Sequence, residues 1–501
     1  MQNLTVINPS LIGFDLVNFK FIAPYFFILI GIVMTVFASV LSEKTGKILG
    51  LVSTVTTVVA AIYSTIGLLG FSAVSLFNNM IVVDAYSNFF NIVYLLIAVI
   101  TVISSVRYLD KENIQYQEYN VMILLSTIGM MLMTAASELI VFFISLEIMS
   151  LSVYTLVCFR RSDRRSNEAA MKYFIMGGVA SAVLLYGVAM LYGATGSTHF
   201  LKIFEYAQLK LAQPSLLYTA GSFLVIIGFL FKVAAVPFHM WMPDVYEGAP
   251  TPITGFMTTA LKTSVFAVFV KILISTGYTK AAMDLFNTNL HHFLWIAAVL
   301  TMLAGNVIAL TQVNLKRMLA YSSIAHTGYL LVGLISAKNS GMAMSAVGMY
   351  LVVYSVMNLG AFLVLTLISN KSDTGLNLHD LSGISKKHPC LAACFGIFML
   401  SMAGIPPTAG FIAKYQLLYS AVDAGELVLV VLAVLCSAIS VFYYLRVLVY
   451  MYMHESSDSG VYPIKSMASN FALLIMAFFI LKIGFFPAPL MDLAKRVMNS
   501  I

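Results

Sequence analysis

The run Phe231-Lys-Val-Ala-Ala-Val-Pro-Phe-His-Met-Trp241 closes an apolar block that begins near residue 215, and it puts a lysine and then a proline where a membrane-crossing helix should still be running. A second run, Ala403-Gly-Ile-Pro-Pro-Thr-Ala-Gly-Phe-Ile-Ala-Lys414, does the same inside an apolar block over 389–422 that is too long for one span. Proline removes a backbone donor and clashes with the preceding turn, so each block reads as a broken helix. Lipid cannot satisfy the carbonyls and amides that such a break frees, and breaks persist only inside protein or along a polar cavity. The two runs therefore predict a membrane protein with a polar interior.

Composition agrees. The chain has 501 residues, 60% of them apolar, with a mean hydropathy of +0.93; 28 basic and 21 acidic residues make 10%. A soluble protein carries roughly 25% charged residues, so a soluble enzyme is excluded. The net charge of +7 comes without a basic face or tail, which argues against nucleic acid and for a role in topology. Cys158, Cys390, Cys394 and Cys436 lie in or beside apolar segments with no CxxC or Cys/His metal spacing, and read as small core residues. No GxGxxG or Walker pattern is present, so no nucleotide, flavin or iron–sulfur site is placed on the chain. The first 20 residues lack the order of a cleavable signal, and the first apolar block is read as a retained anchor.

A ruler of roughly 20 apolar residues per span gives fourteen spans, near 21–41, 48–72, 85–106, 118–136, 138–159, 170–194, 215–241, 253–275, 290–311, 318–337, 342–369, 389–422, 427–453 and 467–486. Alternate loops differ in basic residues. One set holds Lys44, Lys47, Arg107, Lys111, Arg160, Arg161, Arg164, Arg165, Lys316, Arg317, Lys371, Lys386, Lys387 and Lys465; the other holds only Lys20, Lys202, Lys210, Lys280, Lys338, Lys495 and Arg496. This two-to-one imbalance places the first set in the cytoplasm and both termini outside. Spans 4–8 and 9–13 form two groups of five, and an odd repeat inverts its own topology. In each group the fourth span is the broken one, a pattern of transporters. The expected fold is thus an all-α polytopic membrane protein forming one membrane domain over 1–501. It divides into a three-helix segment (1–112), a first five-helix repeat (113–276), an inverted second repeat (277–454) and a last helix (455–501).

A charge at mid-membrane is costly and marks function by default. Glu147 lies about nine residues into the fifth span, about 13 Å deep at about 1.5 Å per residue. Lys232, Lys262 and Lys414 occupy comparable interior positions in spans 7, 8 and 12, whereas Lys172, Lys271, Lys482 and Arg446 lie nearer span ends and read as snorkelling or structural groups. Glu147 needs a cation, and three interior lysines against one carboxylate leave surplus positive charge. A lysine able to release its proton, as in a proton relay, is expected. His326 sits in Tyr321-Ser-Ser-Ile-Ala-His-Thr-Gly-Tyr329, a run of hydroxyls around one imidazole, and is either a satisfied core histidine or a proton step. His239 reads as interfacial, and Pro243–Pro252 as a rigid cytoplasmic loop with Asp244 and Glu247 facing solvent.

At these residues the chain resembles the antiporter-like membrane subunits of respiratory complex I, related to Mrp-type Na+/H+ antiporter subunits, and most closely the subunit N branch. The resemblance spans the second to the last helix. It is carried by the two runs above and by Phe143-Ile-Ser-Leu-Glu-Ile-Met-Ser-Leu-Ser-Val-Tyr154, Asn167-Glu-Ala-Ala-Met-Lys-Tyr-Phe174, Tyr246-Glu-Gly-Ala-Pro-Thr-Pro252 and Phe442-Tyr-Tyr-Leu-Arg-Val447. It implies that Glu147 is the family's fifth-span glutamate, Lys232 its paired lysine, Lys262 the connecting lysine and Lys414 the terminal lysine. A glutamate in place of Lys414 would point to subunit M, and a long lateral helix to subunit L. Two departures, Leu261 where relatives carry proline and Ala413 where they carry glycine, touch local geometry and leave the charges intact.

The resemblance implies a proton-translocating subunit of NADH-quinone oxidoreductase in a bacterial cytoplasmic (inner) membrane, both termini periplasmic, with a relay through Glu147, Lys232, Lys262, His326 and Lys414. It implies no cofactor on this chain, with NADH, FMN, iron–sulfur clusters and quinone on partner subunits. The implied partners are subunit M, the small subunits J and K, and the lateral helix of subunit L. The alternative is an Mrp-type Na+/H+ antiporter subunit without a redox partner.

Overall fold

The computed structural model describes residues 19–41, 46–70, 73–114, 118–210, 215–276, 278, 285–455, 463–464 and 466–499. Lys44, Lys280 and Lys465 and the extreme termini lie outside them. The described chain is almost wholly helical: α1 (Phe19–Leu41), α2 (Gly46–Gly70), α3 (Ala85–Glu112), α4 (Glu118–Ala135), α5 (Leu139–Val157), α6 (Arg164–Thr195), α7 (Phe200–Lys210), α8 (Leu216–Lys232), α9 (Trp241–Gly248), α10 (Thr251–Phe256), α11 (Lys262–Ser275), α12 (Leu285–Thr311), α13 (Leu315–Ser336), α14 (Ala343–Ile368), α15 (Ile384–Lys387), α16 (Pro389–Ala403), α17 (Ala409–Asp423), α18 (Leu427–Met453), α19 (Met467–Phe485) and α20 (Ala488–Met498). A small antiparallel hairpin of β1 (Val74–Leu76) and β2 (Ile81–Val83) precedes α3.

Among the described residues twelve helical stretches are long and apolar enough to cross a membrane; α8 and α16 are shorter apolar helices, each ending at one of the two breaks read from sequence. Burial separates centre from rim. The stretch Thr251–Ser275 is 89% buried, and α13 and α14 are each 94% buried, whereas α18 and α19 are only 33% buried and turn large apolar side chains outward. A helix that is apolar all round belongs either in a core or against lipid, and here both kinds occur. The most enclosed helices carry Lys262 and His326.

Both breaks begin with the same helix ending. At the first, the Ala235 amide donates to Leu230 and the Ala234 amide to Phe231, with Ala234 left-handed at φ 54; at the second, the Ile405 amide donates to Leu400 and the Gly404 amide to Leu400 and Ser401, with Gly404 at φ 81. This is the Schellman pattern, which consumes the last carbonyls of a helix. Glycine adopts the left-handed turn freely, whereas Ala234 does so against its Cβ. What the turn leaves over is met by protein. Thr327 donates its hydroxyl to the Val233 carbonyl at 2.9 Å, Thr301 accepts from the Val236 amide at 2.9 Å, and the Trp241 indole N–H donates to the Phe231 carbonyl at 3.3 Å. At the second break Ser401 accepts from the Gly410 amide at 3.1 Å.

Close approach follows from small residues. A Cβ on Gly410 would fall 1.9 Å from the Ser401 carbonyl oxygen, so only glycine lets α17 start against the end of α16. Gly129 of α4 lies against Ser145 and Met149 of α5, and Gly305 of α12 against Tyr321 and Ala325 of α13, each across two backbone groups four residues apart. Small residues at such crossings are how membrane helices bring backbones together.

Several sequence readings are corrected. The stretch expected as a rigid loop over Pro243–Pro252 is mostly helix: α9 runs to Gly248 and α10 restarts at Thr251, because proline is tolerated in the first turn of a helix. Its Asp244 and Glu247 do not simply face solvent, since Arg317 reaches them at 2.9 and 2.8 Å and Lys172 reaches Asp244 at 2.8 Å. Cys394 and Cys436 are buried, but Cys390 is exposed near the start of α16. Lys316, counted with the loop charges, is buried at the start of α13. The hairpin, α7 and α20 carried no signal strong enough to read, being short or amphipathic.

Candidate functional site

The site forms along the interior, where helical stretches bring single polar residues from distant parts of the chain together. Glu147 stands half-buried on α5, and its Oε1 accepts the Ser181 hydroxyl of α6 at 2.6 Å. Lys232, the last residue of α8, is buried and donates to the Ser150 hydroxyl at 3.2 Å. Ser150 lies one turn beyond Glu147 on α5, so the lysine meets the same helix face. Glu147 and Lys232 form no direct ion pair here; hydroxyls hold each of them.

Lys262 opens α11 directly after a five-residue π-turn, Met257–Leu261, which follows α10. Such wide turns rotate the following side chains and recur at functional sites. They cover the position where relatives were expected to carry proline. The Lys262 ammonium donates to the Ser323 carbonyl at 2.6 Å and to the Ser323 hydroxyl at 2.5 Å, and lies 5.4 Å from the centre of the Tyr354 ring. The Tyr354 hydroxyl is 2.7 Å from that of Ser323, and Thr258 joins the same cluster.

His326 follows Ser323 by one turn of α13. Its Nδ1 is 2.6 Å from the Tyr350 hydroxyl and its Nε2 is 3.2 Å from the Tyr444 hydroxyl, which is also bonded to Ser322. Both ring nitrogens are therefore engaged by hydroxyls. Tyr329 touches the imidazole on one side, with ring centres 5.9 Å apart, and on the other side lies 5.2 Å beneath the Lys414 ammonium. Lys414, from α17, reaches back across the second break and donates to the carbonyls of Met402 at 2.9 Å and Ala403 at 3.2 Å and to the Ser437 hydroxyl at 3.2 Å. It thus caps the free carbonyl end of α16, where a cation is favoured by the helix dipole.

Lys262, His326 and Lys414 are in this way joined through α13, while Glu147 and Lys232 form a separate group on α5, α6 and α8. Among the described residues no carboxylate pairs with Lys262 or Lys414, although they are only 3% and 7% exposed. An unpaired buried cation is costly, about 2.5–3.5 kcal/mol at mid-membrane on insertion scales, so its retention calls for a functional reason.

Sequence reasoning noticed the hydroxyl run around His326 but not Ser150, Ser181, Tyr350, Tyr354 or Tyr444. Tyr350 and Tyr354 are spaced four residues apart within a largely apolar helix, and that spacing was the available signal. A second cluster was missed entirely. Asp373, in the segment after α14, lies 3.3 Å from both Arg160 and Lys316 and accepts the Thr251 amide at 3.2 Å. Lys316 also donates to the Ala249 carbonyl at 2.6 Å, and Arg160 to Gly248 at 3.1 Å. Burial opposes the charge on Asp373, but Lys316 and Arg160 outweigh it and hold the carboxyl below its ordinary range. The turn between α9 and α10 is thereby clamped to both halves of the chain.

Comparison with known proteins bears on the chemistry. Residues 136–440 match the family model described as NADH:quinone oxidoreductase/Mrp antiporter, TM. An NADH-quinone oxidoreductase subunit N of Trichlorobacter lovleyi is 42% identical over 86% of this chain and 87% of its own. A chain of respiratory complex I from Thermus thermophilus is 29% identical, with a TM-score of 0.79 over 94% of this chain and 99% of that one. A chain of an Mrp complex from a Dietzia species superposes with a TM-score of 0.82 over 95% and 96% at 21% identity, a likeness of fold alone.

The buried clamp yields a stability prediction. Asp373→Asn leaves two cations facing each other without their carboxylate, a change that costs about 3–5 kcal/mol when a buried pair loses one partner. The purified protein is expected to melt at lower temperature, and Lys316→Met in the same chain to recover part of the loss; an unchanged melting temperature in Asp373→Asn refutes the assignment.

Proposed function

The chain belongs to the subunit N family of NADH-quinone oxidoreductase, and from that premise we propose that its interior Glu/Lys groups carry the protons that the complex moves. It is a proton-translocating membrane subunit of that translocase, and the redox reaction belongs to other subunits. NADH, FMN, the iron–sulfur clusters and quinone are assigned to those partners.

The observation that carries the relay is the pair of buried ammonium groups, Lys262 and Lys414, held by carbonyls, hydroxyls and aromatic faces with no carboxylate beside them among the described residues. Each can exist as the neutral amine without stranding a counter-ion. In the proposed sequence a shift of Glu147 toward or away from Lys232 changes the countercharge felt by that lysine. A proton released there passes to Lys262, then by way of the Ser323, Tyr354 and His326 cluster to Lys414, and leaves on the outer side. Moving one charge against 100 mV costs about 2.3 kcal/mol, which the redox reaction must supply.

The fourteen-span, two-repeat architecture is part of the same proposal, with repeats over 113–276 and 277–454 between the segments 1–112 and 455–501. It is supported by the matching helix endings at the two breaks and by the matching glycine crossings of α4 with α5 and α12 with α13. Inversion would let one half open inward and the other outward. The lateral neighbours proposed are subunits M, J and K and the lateral helix of subunit L, in the bacterial inner membrane. The low identity to the Mrp chain supports a redox complex over a free-standing antiporter.

In the complex reconstituted into liposomes, Glu147→Ala is expected to reduce NADH-driven proton uptake severalfold while assembly persists, and Glu147→Asp to retain part of it. Wild-type pumping by the alanine variant sinks the pairing of Glu147 with Lys232. Replacing Lys262 or Lys414 by arginine keeps the positive charge but installs a guanidinium that does not deprotonate at working pH. Either arginine variant should lose nearly as much pumping as the alanine variant. Normal pumping would mean that only fixed charge is needed.

Sidedness is tested separately. With Cys158 replaced, a cysteine at Ser162 should resist, and one at Asn499 should accept, a membrane-impermeant reagent applied from the outer face. The reverse labelling pattern inverts the proposed direction of flow.

A further inference from the structure

Among the described residues no side-chain hydrogen bond joins the two groups of relay residues, yet one hydroxyl reaches the backbone beside Lys232 and the carbonyl that holds Lys262. Thr327 of α13 is fully buried, and its hydroxyl lies 2.9 Å from the Val233 carbonyl and 3.2 Å from the Ser323 carbonyl. Val233 is the residue next to Lys232 and the first of the broken segment, so its carbonyl is one of the groups that α8 leaves free. Ser323 is the residue whose carbonyl takes the Lys262 ammonium at 2.6 Å. Thr327 also directly follows His326, whose ring is held on both sides by tyrosine hydroxyls.

We propose that Thr327 is the positioning residue that couples the two halves: its single hydroxyl proton is shared between the break at Lys232 and the carbonyl that holds Lys262. The bond to Ser323, four residues back on the same helix, is the back-bond that threonine makes in any helix. The bond to Val233 is not, because it crosses 94 residues of chain to a different helix. One donor cannot serve both carbonyls fully. When the broken segment moves with Lys232, Val233 draws the proton or gives it up, and the Ser323 carbonyl is left more or less free for Lys262. A displacement in the first half thereby changes how firmly the connecting lysine is held, without any proton crossing the gap at that moment. Thr327 does not itself carry a proton in this scheme.

The inference rests on the relay reading for its functional consequence, and the experiment separates the two. Thr327→Val is close in shape and removes only the hydroxyl, whereas Thr327→Ser keeps the hydroxyl and removes the methyl. In the intact complex in liposomes, Thr327→Val should lower NADH-driven proton pumping at least threefold at unchanged assembly, and Thr327→Ser should pump at more than half the wild-type rate. A role in packing alone reverses this order, since valine preserves the volume and serine does not. Equal activity of the two, or serine worse than valine, overturns the proposal. If Thr327→Val does not assemble, Thr327→Ala, which also removes the donor, takes its place, and normal pumping by that variant is equally fatal. Lys262→Ala serves as the control: if it pumps normally the relay reading has failed, whereas impaired pumping there with normal pumping in Thr327→Val rejects the coupling role alone.

Discussion

A peptide group freed from a helix inside a bilayer has no water to bond, and the arrangement of this protein turns on how two such breaks are satisfied. At the end of α8 the freed groups are taken by Thr327, Thr301 and Trp241; at the end of α16 they are taken by Lys414 and Ser401. Two of the three partners at the first break, the donor Thr327 and the acceptor Thr301, come from the other half of the chain. α12 and α13 therefore meet the broken segment that follows α8. The lysine at the second break has the complementary position: it is the cation that a helix carbonyl end attracts, held by carbonyls and a hydroxyl with no carboxylate among the described residues. Breaks, lysines and helix packing are one constraint seen from three sides.

The same chain handles charge in two different ways. Near the ends of the spans, charges are neutralised in clusters: Asp244 and Glu247 against Arg317 and Lys172, and Asp373 against Arg160 and Lys316. These pairs hold α9 and the turn before α10 in place, and for a group such as Asp373 they favour the ionised form over the neutral one. In the interior the cations are instead surrounded by hydroxyls, carbonyls and aromatic faces. An ion pair resists a change of protonation because either partner alone is stranded, whereas a hydroxyl or carbonyl shell accepts the charged or neutral lysine with a smaller penalty. The clusters tie segments together, and the relay proposed above rests on the interior groups.

Much of this was legible in the sequence. Long apolar blocks, the two proline-bearing runs and the isolated interior charges Glu147, Lys232, Lys262 and Lys414 are properties of local composition and spacing, and a bilayer makes them decisive because it tolerates neither free backbone nor stray charge. The prolines of Pro243–Pro252 misled, since the same residue that breaks a helix interior also begins a helix, and only the neighbouring chain determines which occurs. Of the hydroxyls around Lys262 and His326 only the run that holds Ser323 was in view; Tyr350, Tyr354 and Tyr444 are ordinary residues until three helices meet.

What the sequence alone determined, then, was which long apolar helices exist, where two of them break, and which charges must be accounted for inside a membrane. What only the tertiary structure decided was who accounts for them: that Lys262 is met by Ser323, that Lys414 turns back on its own broken helix, that Asp373 binds two cations from distant segments, and that Thr327 reaches the carbonyl beside Lys232. Hydropathy and proline act along the chain and can be read there. Hydrogen bonds and ion pairs between residues many positions apart depend on distances of about 3 Å that no local pattern encodes.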